Sequence, residues 1–101
     1  MATLHHPSRE DLHLVDVLHA LGHPTRLQIV RELVSGEETS CGAVEVGVPK
    51  STLTSHWRIL REAGVIHQRP DGRKLCLTLR RDDLEARFPG LLALVFAEDA
   101  S

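Results

Sequence analysis

Between residues 49 and 64 the apolar and polar positions separate onto two faces of one helix. Leu53, Trp57 and Leu60 recur at i, i+4 and i+7, and Gly64 closes that side. Ser51, Thr54, Ser55 and Arg58 fall on the opposite side, with Lys50 at the entrance. The spacing predicts an amphipathic helix over about 50–63 whose apolar face is anchored in a core. Its other face carries short hydroxyls and a cation, which suits close approach to a DNA groove. There hydroxyls reach phosphates and base edges, and Arg and Lys neutralise charge or read guanine. An ordinary surface helix would show the same two faces, so the rest of the chain has to decide.

Upstream, Ser8 with Asp11 three residues later marks a helix start, and a helix over about 9–21 follows. Leu14, Leu18 and Leu21 form its expected inner stripe. Leu12, Val15 and Val17 widen the apolar arc, which predicts a second buried contact, most simply with a partner subunit. Gly22 ends this helix, and His23-Pro24 opens the next, to about residue 35, with Leu27, Ile29, Val30, Leu33 and Val34 buried. Ser35-Gly36 stops it, and Glu37-Glu38-Thr39 is an acidic turn. Ser40 to Gly47 reads as a short helix carrying Ala43, Val44 and Val46, and Gly47-Val48-Pro49 as a turn.

After Gly64 the period changes from helical to alternating. Val65 to Arg69 predicts a strand, Pro70-Asp71-Gly72 a tight turn, and Leu75, Leu77 and Leu79 alternating with Lys74, Cys76 and Thr78 a second strand. The result is a β-hairpin over about 65–79 with Arg69, Arg73 and Lys74 at its tip. Asp82 and Asp83 suit a helix N-terminus, Leu84 and Phe88 begin that helix, and Pro89 breaks it. Leu91, Leu92, Leu94, Val95 and Phe96 form a dense apolar end, for which pairing with a second copy is the expected fate. Leu12, Val15, Leu91, Leu92, Val95 and Phe96 are the expected dimer contacts. Residues 1–8 read as a flexible His-containing arm, 9–98 as one domain, and 99–101 as a tail.

Charge favours nucleic acid. The whole chain of 101 residues has a net charge of −2. Residues 50–81, however, hold eight cations against two carboxylates, and the remainder holds four Arg against twelve. A basic segment inside an acidic chain is an electrostatic footprint for DNA, and the acidic remainder disfavours wrong orientations. No apolar run reaches the ~20 residues of a membrane span. The start lacks the basic and apolar regions of a signal peptide. Two cysteines, Cys41 and Cys76, are too few for a disulfide framework. The expectation is a cytoplasmic, reduced setting with no membrane partner. No nucleophile elbow, metal-hydrolase motif or phosphate loop is present, so the chain does not read as an enzyme.

Three helices, a basic-tipped hairpin and flanking terminal helices describe a mainly α fold with a small β-hairpin, the winged helix-turn-helix. The stretch Ala20-Leu21-Gly22-His23-Pro24-Thr25-Arg26-Leu27-Gln28-Ile29-Val30 resembles the opening of the ArsR/SmtB-type bacterial regulators. Ser51 to Ile66 resembles that family's recognition helix and following strand, and Asp71-Gly72-Arg73 falls at its wing. The resemblance implies a homodimer joined through its first and last helices and bound to an imperfect DNA palindrome. It implies Lys50, Ser51, Thr52, Thr54, Ser55, His56 and Arg58 as groove residues and Arg69, Arg73 and Lys74 as wing residues. Trp57 stands where the family often has Leu, and Ser55 where it often has a second His. The alternative is a winged-helix protein-interaction module without DNA binding, which has no need for the basic segment.

Many members of that family respond to a metal ion and some to oxidation. A common metal pattern needs a Cys-x-Cys pair where this chain has only Cys41, and another needs His on the last helix, where residues 82–101 have none. Five of seven His lie in the first 23 residues. His5, His6, His13 and His19, with nearby Asp11 or Asp16, form the candidate Ni²⁺ or Zn²⁺ ligands, against the alternative of plain surface His. Redox change at Cys41 or Cys76 and an accessory protein are the other candidate modes of control.

Overall fold

A computed structural model describes residues 4–35, 37–44 and 46–99. Parts of the expected arm (residues 1–3) and tail (100–101), and the helix stop at Gly36, lie outside the described residues. The order is α1 (Leu14–Leu21), α2 (Pro24–Glu32), β1 (Thr39–Ser40), α3 (Lys50–Glu62), β2 (Ile66–Asp71), β3 (Lys74–Leu79), α4 (Arg81–Arg87) and α5 (Leu91–Asp99). Five helices pack with one small antiparallel sheet of strand order β1-β3-β2. This is the winged helix-turn-helix expected from the pattern.

The chain start differs from expectation. Arg9–Asp11 is a single 3-10 turn, and Leu12 and His13 are extended before α1 begins. Leu12 is drawn into the core. The reason sits at Gly64, whose φ is +87°. A Cβ there would lie 2.0 Å from Leu12 Cδ2 and 3.2 Å from Pro7 Cγ. Gly64 thus both turns the chain after α3 and leaves room for the start of the chain. With Leu12 filling a core position, α1 turns Val17, Ala20 and Leu21 inward. Leu14 and Leu18, expected on the inner stripe, are exposed.

Within the expected arm, His6 and Pro7 bond to the rest of the chain. The Gln68 N–H donates to His6 Nε2 at 3.0 Å, and Arg80 Nη1 donates to the Pro7 carbonyl at 2.7 Å. Arg9 Nε donates to Asp83 Oδ1 at 2.7 Å, and Arg87 Nη2 to the Leu12 carbonyl at 2.6 Å.

Of the expected short helix over 40–47, in which residue 45 lies outside the described residues, only a single turn forms. Thr39 and Ser40 pair with Leu77 and Cys76, adding a third strand, and only Cys41–Ala43 forms a 3-10 turn. Val44 then leaves the helical path to reach the core. Gly42 and the β-branched valines around it favour extended backbone over a helix. In the hairpin the turn is two residues, Gly72 and Arg73, because Asp71 pairs with Lys74 and Pro70 with Leu75. Proline is tolerated there because β2 is an edge strand. Gly72, at φ +63°, supplies the left-handed backbone of the turn.

The C-terminal helices break where Pro89 predicts, between Arg87 and Leu91. On α5, Leu92 and Val95 are buried and Leu94 is 70% exposed. Arg31 Nε and Nη2 donate to the Val95 carbonyl at 3.4 and 3.3 Å, docking α5 on α2. Arg81 donates to the Val34 carbonyl and lies over the Phe96 ring, 5.8 Å from its centroid. None of the helices described is long and apolar enough to cross a membrane.

Candidate nucleic-acid interface

The helix α3 divides as its pattern requires. Leu53, His56, Trp57 and Leu60 are buried. Each fully buried apolar side chain of this size contributes ~1.5–3 kcal/mol, enough to fix which face points out. Lys50, Ser51, Thr52, Thr54, Ser55 and Arg58 are exposed. The Arg58 side chain is 70% exposed and its Nε donates to Glu62 Oε2 at 3.3 Å, one turn along the helix. The Thr54 hydroxyl donates to the Lys50 carbonyl at 3.1 Å.

His56 is a correction to the expected groove set. Its side chain points inward at 8% exposure. Its position completes the i, i+3, i+4, i+7 stripe of Leu53, Trp57 and Leu60, so a helical wheel places it inside despite its polarity. Arg26 of α2, which sequence reasoning did not single out, is its partner at 3.2 Å from Nη1 to Nδ1. Burial, then His23, then Arg26 lower the His56 pKa below its ordinary value.

On the hairpin, Arg73 and Lys74 are exposed and form no ion pair among the described residues. Arg69 does. Its Nε and Nη2 donate to the two carboxylate oxygens of Glu38 at 2.9 and 2.7 Å. That paired bond holds Glu38 below the usual carboxylate range and raises Arg69 further. Two of the candidate DNA cations, Arg58 and Arg69, therefore rest on carboxylates of their own chain.

The histidines expected to hold a metal do not converge. Among the described residues no three His, Cys, Asp or Glu side chains are grouped to hold an ion. The His6 ring stacks on His67 at 4.2 Å while its Nε2 accepts from Gln68. His5, His13 and His19 are exposed. The two thiols also do not pair. Both are free thiols, and Cys76 stands opposite Arg69 and Ser40 in the sheet. Burial raises the Cys41 pKa, away from a reactive thiolate.

Of the expected dimer contacts, Leu12, Leu92 and Val95 are buried in the chain's own core. Leu91 and Phe96 are half-buried, and Val15 is exposed. Leu14, Leu18 and Leu94 are exposed apolar residues that the expected set omitted.

A family model for a helix-turn-helix domain matches residues 21–69. The chain is 40% identical over 79 residues to an HTH-type transcriptional regulator, YceK, of Bacillus subtilis, covering 75% of this chain and 79% of that protein. It belongs to the ArsR-type winged helix-turn-helix transcriptional regulators. The crystal structure of the repressor BigR from Xylella fastidiosa superposes with a TM-score of 0.61 at 30% identity, covering 74% of this chain and 85% of that one. A possible transcriptional regulator for arsenical resistance superposes at 0.64 with 32% identity, covering 77% and 81%. These relatives are transcriptional regulators, which are not enzymes, and the regulator described here shares their winged helix-turn-helix fold.

Proposed function

We propose that the regulator is a homodimeric repressor that occupies an imperfect palindrome in a promoter. The observation that carries this is the division of α3. One face is locked into the core by Leu53, Trp57 and Leu60, and the other presents Lys50, Ser51, Thr52, Thr54, Ser55 and Arg58 to solvent. Two such helices enter successive major grooves, while Arg73 and Lys74 of each hairpin, and Arg69 once it leaves Glu38, reach the flanking backbone. The second copy docks on the apolar residues left outside, Leu14, Val15 and Leu18 of α1 with Leu94 of α5. The similar BigR protein of Xylella fastidiosa is a transcriptional repressor, which supports repression as the sign of control. Control by an ion held on His5, His6, His13 and His19 has no support in their placement.

Selection of duplexes from a randomised pool tests this reading. Recovered sites should contain two related, inverted half-sites about one helical turn apart. Recovery of no duplex above background would favour the protein-interaction alternative.

A further inference from the structure

Arg26 is the only charged side chain that is buried among the described residues, at 7% exposure. Every bond it makes ends on a neutral acceptor. Its Nε donates to the Ala20 carbonyl at 2.7 Å and its Nη2 to the His19 carbonyl at 3.3 Å. Both carbonyls belong to the last turn of α1, where the helix dipole is negative, and that of His19 also accepts the Gly22 N–H at 3.2 Å. Its Nη1 donates to His56 Nδ1 at 3.2 Å. One guanidinium thereby ties α1, α2 and α3 together.

That geometry sets the proton on His56. A guanidinium only donates, so Nδ1 must hold a free lone pair and the imidazole carries its proton on Nε2. A second imidazole is constrained in the same way. His23 lies 4.7 Å from His56, centroid to centroid, and its Nδ1 accepts from the Thr25 N–H at 3.1 Å, capping α2. A proton on either Nδ1 breaks a bond: at His56 the tie to Arg26, at His23 the helix cap.

Among the described residues no carboxylate is paired with His56 to receive a new charge. From α2 and its N-cap, His56 faces Arg26 and His23, and the same Arg26 bonds the His19 and Ala20 carbonyls of α1. Along α3 the residues one turn away, Thr52, Leu53, Ile59 and Leu60, are uncharged.

We propose that Arg26 is a positioning residue for the recognition helix, acting through a neutral His56, so that protonation of His56 unseats the DNA-reading face. This rests on the DNA-binding reading above. The direction follows from linkage. The His56 pKa is lowered in the folded chain, so the unfolded chain binds that proton more readily. The seat is therefore strongest above the ordinary imidazole range and weakens as pH falls through it.

The test uses His56→Asn, whose amide oxygen replaces Nδ1 as acceptor but does not titrate, and a duplex selected from a random pool at pH 7.5. The affinity ratio of wild type to His56→Asn removes the contribution of the other histidines. It should fall about fivefold between pH 7.5 and 5.5; a constant ratio overturns the proposal. In the free protein, Arg26→Gln should move the NMR titration midpoint of His56 upward, and an unmoved midpoint overturns it equally. Absence of DNA binding by the wild type at both pH values would overturn the DNA reading itself. The NMR arm would still decide the coupling between Arg26 and His56.

Discussion

The α2–α3 junction and the exposed apolar residues of α1 and α5 in this regulator solve opposite problems. At the junction a cation and one imidazole are taken inside and bonded, with His23 half-buried beside them, and the outside is left polar and cationic. On the outer sides of α1 and α5 the reverse holds. Leu14, Val15, Leu18 and Leu94 stand exposed around helices whose inner residues are already packed, with Val15 at 73% exposure. A finished surface with excess cations calls for a polyanion, whereas an unfinished apolar one calls for more protein. On the proposed reading the two regions take different partners, DNA on one and a second copy on the other.

The contrast can be broken from either side. The larger effect belongs to the apolar face. Leu18→Glu should yield a folded monomer by light scattering. Its affinity for a two-half-site duplex should drop by about 100-fold, because the second half-site is no longer tethered to the first. A dimer with unchanged affinity would remove α1 from the interface. The smaller effect belongs to the cationic side and has the opposite sign. Glu38→Ala frees Arg69 from its exposed carboxylate partner and should tighten duplex binding by about twofold. Weaker binding would mean that Glu38 holds the hairpin in its working position.

Much of this was legible in the pattern of residues. The helical spacing of Leu53, Trp57 and Leu60 and the alternation of Leu75, Leu77 and Leu79 located α3 and the hairpin, and Pro89 located the break before α5. The same rule also held where polarity hid it. Arg26, Ile29, Val30 and Leu33 on α2 repeat the spacing of Leu53, His56, Trp57 and Leu60 on α3, and all eight are buried. Reading the stripe by position instead of by residue type would have placed Arg26 and His56 inside, though not their bond. Other features depend on contacts distant in sequence. Leu12 leaves the first helix because Gly64, far along the chain, makes room for it. Thr39 and Ser40 become a strand because β3 offers an edge to pair with. Glu38 meets Arg69 through that same sheet.

The central claim is that the outer face of α3 and the hairpin tip form one phosphate-binding surface. Its most direct measurement is the salt dependence of duplex affinity for the wild type and for Arg58→Ala/Arg73→Ala, followed by fluorescence anisotropy. Each cation that meets a phosphate adds about 0.9 to the slope of log affinity against log salt, so the double variant should lose nearly two units per subunit and bind more weakly at every salt concentration. Identical slopes and affinities for the two proteins would contradict the account.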